Sequence, residues 1–478
     1  MESGHQSPGT RSGLSRRTLL RAGFTGLAAA AASGGVWTAH ASESTTYDVI
    51  IIGAGFAGIT AARALSARGL RPLVLEARNR IGGRAWTTTF NDMQVEMGGT
   101  WVDPKQPNTW REVQRHGMPL VTDLDAEFAI LPTSSGYQRF TMSQVVERQA
   151  PLVQRLMEGS QDYLPDPYDA FSRSDLLASV DGLSLRDRLN QLNLTADEEL
   201  SINGLTSSYA GGSSARGALT MLAHWWALCG RTYEGLGSIN VQRLAPGMNA
   251  LAKAMLAEAS KATLKLNSPV KSVDDDGRTV RVTTRSGEQF TASAAVVAVP
   301  VNVWKRISFT PGLPTEHTSL STQTVGAPNA KKMWLHVRGD VGHFLGESPE
   351  GAGPLAAVFP YRDVSDGQIM IASSVDPALN VNDRAAIERG VRVFAPNAQV
   401  VSVKGQDWGS DEFSLGGWSF RRPGQMTTSL RAVQAPRGRL TFATSDIALA
   451  WSGYIDGAIE SGQRAADQVV SMMSRMAA

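Results

Sequence analysis

Three hydrophobic patterns alternate along the chain. The first is the short, unbroken apolar run, seen at Val49–Ile52, Pro72–Leu75, Ala294–Pro300 and Leu440–Phe442. Such runs fit strands buried on both faces. The second is apolar spacing of three and four. It predicts helices at Ile59–Arg68, Met142–Leu156, Ser184–Leu192, Ala196–Ser208, Ala218–Leu228, 385–394 and Tyr454–Met473. The third is strand-like apolar patterning, which predicts strands over Leu264–Val273 and Thr279–Thr284, with Asp274-Asp275-Asp276-Gly277 as the hairpin turn between them. A longer alternating segment begins at Lys331–Val337 and continues through Ile369–Val375, which predicts a separate sheet. Gln242–Glu258 reads as a loop leading into a helix. Between about Glu127 and Glu234 the pattern is mostly helical.

The first two apolar runs frame a turn, Gly53-x-Gly55-x-x-Gly58, and a helix that ends at Gly69. Strand, glycine turn, helix and strand in this order form a βαβ unit. Gly53 permits the turn, Gly55 lets a pyrophosphate approach the backbone, and Gly58 lets helix and strand pack closely. The helix N-terminus offers unpaired N–H groups to phosphate. Glu76 ends the second strand 18 residues after Gly58, near the spacing at which an acid accepts hydrogen bonds from an adenosine ribose. The stretch therefore predicts an adenine dinucleotide site.

Composition narrows the classes. A chain of 478 residues holds more than one core. Its formal charge of +2 comes from the leader, where Arg11, Arg16, Arg17 and Arg21 stand against Glu2; without residues 1–41 the charge is −1. Charge thus makes no case for nucleic acid or an anionic membrane. Cys229 is the sole cysteine, so no intrachain disulfide forms. In the leader, Ser15-Arg16-Arg17-Thr18-Leu19-Leu20 precedes a mild apolar stretch, and Ala39-His40-Ala41 reads as a cleavage site. This predicts a twin-arginine signal peptide over 1–41, and a periplasmic or extracellular protein exported already folded around its cofactor. The apolar stretch is too short and too glycine-interrupted for a stable membrane span. The Asp274–Asp276 run reads as a solvated turn, and no metal site is expected.

Two further glycine pairs follow the βαβ unit, in Arg80-Ile81-Gly82-Gly83-Arg84 and Glu96-Met97-Gly98-Gly99-Thr100-Trp101. Alone, the first pair also fits a surface turn; beside a dinucleotide fold it suggests main chain lying along the cofactor, with Arg84 placed to pair with pyrophosphate. The pieces GAGFAG, EARNRIGGR, EMGGTW and SGYIDGAIESG, in this order, resemble the flavin-containing amine oxidases. That family includes monoamine oxidases, polyamine oxidases and bacterial nicotine-pathway amine oxidases, and the resemblance is strongest to the last group, of the pseudooxynicotine type. It runs from about Tyr47 to Val470.

The resemblance implies an α/β fold: a Rossmann-like FAD-binding domain (42–126, 235–310 and 430–478) with a second, α+β substrate domain (127–234 and 311–429), built from a mixed sheet plus a helical insertion. It implies FAD contacts at Gly53, Gly55, Phe56, Ala57, Gly58, Glu76, Ala77, Arg78, Gly83, Arg84, Gly98, Gly99, Thr100, Trp101, Val270, Trp418, Asp446, Tyr454 and Ile455. Val270 falls where the family touches adenine through the backbone. Trp418 and Tyr454 match the two aromatic residues that cage the substrate before the flavin. Lys332, with Lys331 the alternative, matches a lysine that holds a water near flavin N5. The implied reaction moves a hydride from the carbon next to an amine nitrogen to N5. Water hydrolyses the resulting iminium, and O2, giving hydrogen peroxide, or a cytochrome takes the electrons. A homodimer is also in keeping with the family. Where the family has Ala-Gly-x-Glu-Thr, this chain has Ala443-Thr444-Ser445-Asp446-Ile447, which alters the expected ribityl contacts. Cys229 lies outside the C-terminal segment through which monoamine oxidases attach flavin, so FAD is expected to be non-covalent. Trp225-Trp226 reads as core rather than pocket. A second reading, an L-amino-acid oxidase, needs a cation for the substrate carboxylate, with Arg421, Arg422 and Arg362 as candidates. A third, a flavin-bound protein without turnover, sits poorly with the aromatic pair and Lys332.

Overall fold

In the computed structural model, which describes residues 47–477, the apolar runs assemble into one parallel sheet. Its strand order is Thr263–Lys265, Pro72–Leu75, Val49–Ile52, Ala294–Val297 and Leu440–Phe442. The predicted leader lies outside the described residues. Val49 and Ile51 face one core, with the helices Phe56–Ala67 and Ile455–Ala477; Ile50 and Ile52 face another. Burial on both sides is why these strands are apolar at every position. The two helices pack closely: a Cβ at Gly462 would lie 2.3 Å from the Ala57 carbonyl oxygen.

A four-stranded sheet joins this layer, in the order Gln289–Ala292, Val280–Thr284, Val270–Asp275 and Ser308–Thr310. Here the structure corrects the expected single strand over Leu264–Val273. The segment is two strands in two different sheets, broken at Leu266–Pro269. Asn267 takes a positive φ of 54°, and Pro269 has no N–H to donate to a ladder. Gln242–Leu244, expected as loop, is a short strand, and the helix after it begins at Met248.

The remaining large sheet has seven strands, ordered Gln399–Asp407, Lys331–Arg338, Gly367–Ser374, Ala357–Val364, Phe344–Glu347, Phe128–Thr133 and Gly136–Thr141. All neighbours are antiparallel except Phe344–Glu347 with Phe128–Thr133. One face packs on the helix Arg384–Arg392 through Met333, Leu335, Met370 and Ile387. The helical segment supplies Met142–Leu156, Leu185–Gln191, Ala196–Tyr209 and Leu219–Leu228. Thr141, Ser184 and Thr195 start the first three with reciprocal capping boxes. Among the described residues, no helix is long and apolar enough to cross a membrane.

Candidate active site

A single cavity of about 780 Å³ is lined by residues from both main sheets and the helical segment. At one end lies the glycine turn. Gly53 has φ of +106°, and a Cβ there would sit 2.7 Å from the Ala298 carbonyl oxygen, so only glycine makes this turn. Gly58 does not line the cavity; its Cβ would lie 2.0 Å from the Gly53 carbonyl oxygen, which makes it a packing glycine. Gly55 is the opposite case. It lines the cavity, and a Cβ there would meet nothing within 4 Å. The space over Gly55 is therefore room for a ligand at a helix N-terminus, as a pyrophosphate requires.

Glu76 is 3% exposed. Its carboxylate accepts from the Ala54 N–H at 2.7 Å and the Arg78 N–H at 2.8 Å, which fixes it beside the turn. Phe413 is flanked by the guanidinium groups of Arg78 and Arg285, each 5.3 Å from its ring centre. These residues line the cavity together with Ser268, Pro269 and Val270, where the chain passes from the five-stranded to the four-stranded sheet. Phe413 and Arg285 carry no motif, and sequence reasoning missed them.

Arg84 also lines the cavity. It donates to the Gly417 carbonyl at 2.7 Å and to Asp446 at 2.7 Å. Asp446 itself stands behind the wall, 1% exposed, and its second oxygen accepts from the Val301 N–H at 2.9 Å. It orients Arg84 from outside the cavity. Ser445, its neighbour, is at the surface of the cavity. Phe56, Ala57, Ala77, Gly83, Gly98, Gly99, Thr100, Trp101 and Ile455 all line the same cavity.

Further along are Lys332, Trp418 and Tyr454, brought together from segments far apart in the chain. Both lysines border the cavity, but strand alternation sends their side chains in opposite directions. Lys331 donates to the Asp376 carbonyl at 2.8 Å and lies 3.7 Å from the Asp407 carboxylate. Lys332 points the other way, donating to Thr100 Oγ1 and to the Gly98 carbonyl at 3.2 Å, and stands 5.0 Å from the Trp101 ring centre. Burial pulls the Lys332 ammonium down to about 8, against the pull of Glu96 and Asp123. Trp418 is held by its indole N–H, which donates to the Tyr209 carbonyl at 2.8 Å. Burial pushes the Tyr454 phenol well above its ordinary value, so it stays neutral.

Trp225 belongs to the buried core as expected, but it is also a cavity residue, which was not expected. It lines the cavity, its indole N–H donates to the Ser452 carbonyl at 3.0 Å, and it meets Tyr454 edge-on at 5.2 Å. Trp226 is buried away from the cavity. The pattern could not separate them because every residue of Leu219–Leu228 is buried. The chamber beyond adds Tyr209, Tyr233, Leu345, Phe359 and Ile371. Arg421, Arg422 and Arg362 do not line it; the arginines that do line the cavity are Arg78, Arg84, Arg285 and Arg306, none of them on the seven-stranded sheet or in the helical segment. Cys229 is buried off the cavity, and burial pushes its thiol up to about 12. No group of acidic, histidine or cysteine side chains fit to hold a metal occurs among the described residues.

These features fit a flavin dinucleotide: open space over Gly55, an acid beside it, an arginine held at the middle, and an aromatic chamber past the far end. Residues 56–470 match the family described as flavin containing amine oxidoreductase. Pseudooxynicotine dehydrogenase of Pseudomonas sp is 34% identical over 97% of both chains. Nicotine dehydrogenase of Pseudomonas putida is 30% identical over 97% of this chain and 99% of that protein. Among solved structures, wild-type putrescine oxidase bound to putrescine covers 89% of this chain and 99% of its own, with TM-score 0.73 and 22% identity. Cyclohexylamine oxidase from Brevibacterium oxydans covers 90% and 100%, with TM-score 0.74 and 19% identity, a likeness of fold. The chain belongs to the flavin-containing amine oxidase family, and it is an enzyme whose cofactor is FAD.

Proposed function

We propose that the chain oxidises a small amine of the kind its nicotine-pathway relatives handle, at the carbon next to nitrogen, with Lys332, Trp418 and Tyr454 as the residues that meet the substrate and the flavin. Bound FAD supplies the two-electron acceptor for the C–H bond. The protein binds the amine, orients it and excludes water. Trp418, Tyr454 and Trp225 offer aromatic surfaces against which the amine packs, and the loss of water there favours its neutral form. Lys332 holds a positive charge at a buried site, where it stabilises negative charge that develops on a neighbouring group. The iminium product then adds water and releases a carbonyl compound and an amine.

One observation carries this reading: a single cavity joins the glycine turn to Lys332, Trp418 and Tyr454. Arg421, Arg422 and Arg362, the cations expected for an amino acid carboxylate, do not line the cavity, which leaves the amino-acid-oxidase reading without its expected partner. FAD is proposed to be non-covalent, because Cys229 is buried off the cavity. Acid precipitation should release all the flavin into the supernatant.

Anaerobic mixing of the purified flavoprotein with a panel of small amines tests the activity. Bleaching of the flavin by at least one amine, with the carbonyl product formed in equal amount, supports it; no bleaching by any amine sinks it. Reoxidation by O2, with hydrogen peroxide formed, or by a cytochrome is then read from the same reduced sample. Export by the twin-arginine route is tested separately. Arg16→Lys with Arg17→Lys should hold the precursor in the cytoplasm, and unchanged export of that variant would end the proposal.

A further inference from the structure

The short strand Trp101–Val102 pairs antiparallel with Gln242–Leu244, which pairs in turn with Leu120–Thr122. Trp101 and Val121 stand in register on either side of Arg243. The last pairing runs one residue further, where the Asp123 N–H donates to the Val241 carbonyl at 3.2 Å. Partners in register share a face, and so do residues two apart on a strand, so Asp123 falls on the face of Arg243 and Trp101. Its carboxylate joins the two. One oxygen accepts from Arg243 Nε at 2.5 Å, and the other accepts from the Trp101 indole N–H at 2.9 Å. Both side chains of the ion pair are only 12% exposed. Asp123 and Trp101 line the cavity, and Arg243 stands behind them.

The ring that Asp123 holds is one of two beside Lys332. The ammonium lies 5.0 Å from the Trp101 ring centre and 5.6 Å from that of Trp334. Each ring is fixed through its N–H, Trp101 by Asp123 and Trp334 by the Glu96 carbonyl at 3.0 Å. The two halves of this cradle meet at the back. The Arg243 guanidinium lies 4.9 Å from the Tyr361 ring centre, and Tyr361 meets Trp334 edge-on at 4.6 Å. A ring attracts a cation across its face and not at its edge, so the plane in which Trp101 is fixed decides what it offers Lys332. An ion pair this buried adds little stability of its own, because desolvation offsets the attraction. Its contribution lies in its place, at the cavity wall against the ring beside Lys332.

We propose that Asp123 and Arg243 are positioning residues for the amine oxidation: the pair fixes the plane of Trp101 against the Lys332 ammonium, and its two opposite charges set how firmly that ammonium keeps its proton. This rests on the amine-oxidase reading of the same cavity. Few charges face Lys332. Glu96 and Asp123 favour its protonated form, while burial opposes it and brings the group to about 8. Arg243, of like sign, is held off by Asp123. On the Lys332 strand itself, Lys331 turns to the other face, toward Asp376 and Asp407. On the neighbouring strand Lys404 donates to the Thr89 carbonyl at 2.7 Å. The residues paired with Lys332, Ser373 and Gln406, carry no charge. Removing either member of the Asp123–Arg243 pair therefore changes the field at Lys332 with a definite sign.

The test follows one quantity through two substitutions that should move it in opposite directions. The absorbance of oxidised flavin in the FAD-loaded protein is titrated from about pH 6 to about pH 10, and anaerobic reduction by an amine is timed over the same range. The step that Lys332→Met abolishes belongs to Lys332. Asp123→Asn removes the negative charge but leaves an oxygen for the Trp101 N–H, and should move that step down by about half a pH unit. Arg243→Gln leaves Asp123 without its counter-charge and should move the step up by about as much. Trp101→Phe keeps a ring and loses the N–H; it should slow flavin reduction about tenfold and leave the step in place. Shifts of the same sign in Asp123→Asn and Arg243→Gln overturn the proposal, as do no shift in either and no Lys332-dependent step in the wild type. A merely structural pair would lower stability in both variants and leave the step unmoved. If Asp123→Asn does not fold, Arg243→Gln alone decides, by an upward shift or by none. If the step moves as expected and no amine reduces the flavin, the amine-oxidation reading fails and the hold of the pair on Lys332 stands.

Discussion

Gly53, Gly55, Glu76 and Arg84, at the dinucleotide end of the cavity, come from one continuous stretch and sit on or beside the strands of one βαβ unit. Asp123, Lys332, Trp418 and Tyr454, at the chamber end, come from a sheet strand, two irregular segments and the start of the C-terminal helix. The first end is built by backbone: turn geometry, N–H groups and absent side chains. The second is built by side chains whose neighbours are set by strand register and helix packing. Local backbone geometry constrains which residues are allowed, so it leaves a motif. Long-range packing accepts many side chains at a given place, so it leaves little trace in the chain.

Substitutions can break this contrast. The largest effect is expected at Gly55. Gly55→Val puts its Cβ into ligand space, where it meets no protein atom within 4 Å, so the fold should survive while the purified protein loses its flavin absorbance and all turnover. Gly58→Ala should do the reverse first, lowering stability by about 3 kcal/mol in a denaturant titration, because its Cβ meets backbone. Equal stability of the two variants would erase the distinction between the ligand glycine and the packing glycine.

At the other end, Lys332→Met should slow anaerobic flavin reduction about 100-fold, the scale of one lost electrostatic donor. Its pH dependence has a definite sign. The lysine titrates near 8 when folded and near 10.5 when unfolded. Between those values the unfolded chain binds more protons, so this residue's contribution to stability rises with pH across that window. The rise in unfolding temperature between pH 8 and 10 should be smaller in Lys332→Met, and an identical profile would show that Lys332 is not buried as described. Asp446→Asn should lower FAD affinity about tenfold by loosening Arg84, measured by flavin fluorescence on dilution. The smallest effect is at Trp225. Trp225→Phe keeps the edge-on ring against Tyr454 but loses the bond to the Ser452 carbonyl, and should change kcat/KM only about fivefold, near 1 kcal/mol.

The apolar runs at Val49–Ile52, Pro72–Leu75 and Leu440–Phe442 were legible because each strand is buried on both faces. The helices with capping boxes were legible to within a few residues, because Thr141, Ser184 and Thr195 act on their own first turns. Leu264–Val273 was misread as one strand because apolar residues continue across the break, while the change of sheet is a tertiary event. Asp123, Trp225, Arg285 and Phe413 were invisible as site residues. Each sits in a segment whose pattern is satisfied by core or surface, and only the opposing wall makes it part of a cavity.

The sequence by itself pointed to a bound dinucleotide and supplied a glycine turn at a helix N-terminus as the candidate seat of its pyrophosphate, since such a turn works through atoms within a few residues of one another. It also supplied the aromatic pair and two adjacent lysines. Tertiary structure decided which lysine faces the chamber, because strand alternation sends Lys331 and Lys332 to opposite sides of the sheet. It decided too that Asp123 stands between Arg243 and Trp101, because register across three short strands aligns residues that the sequence order does not mark as partners.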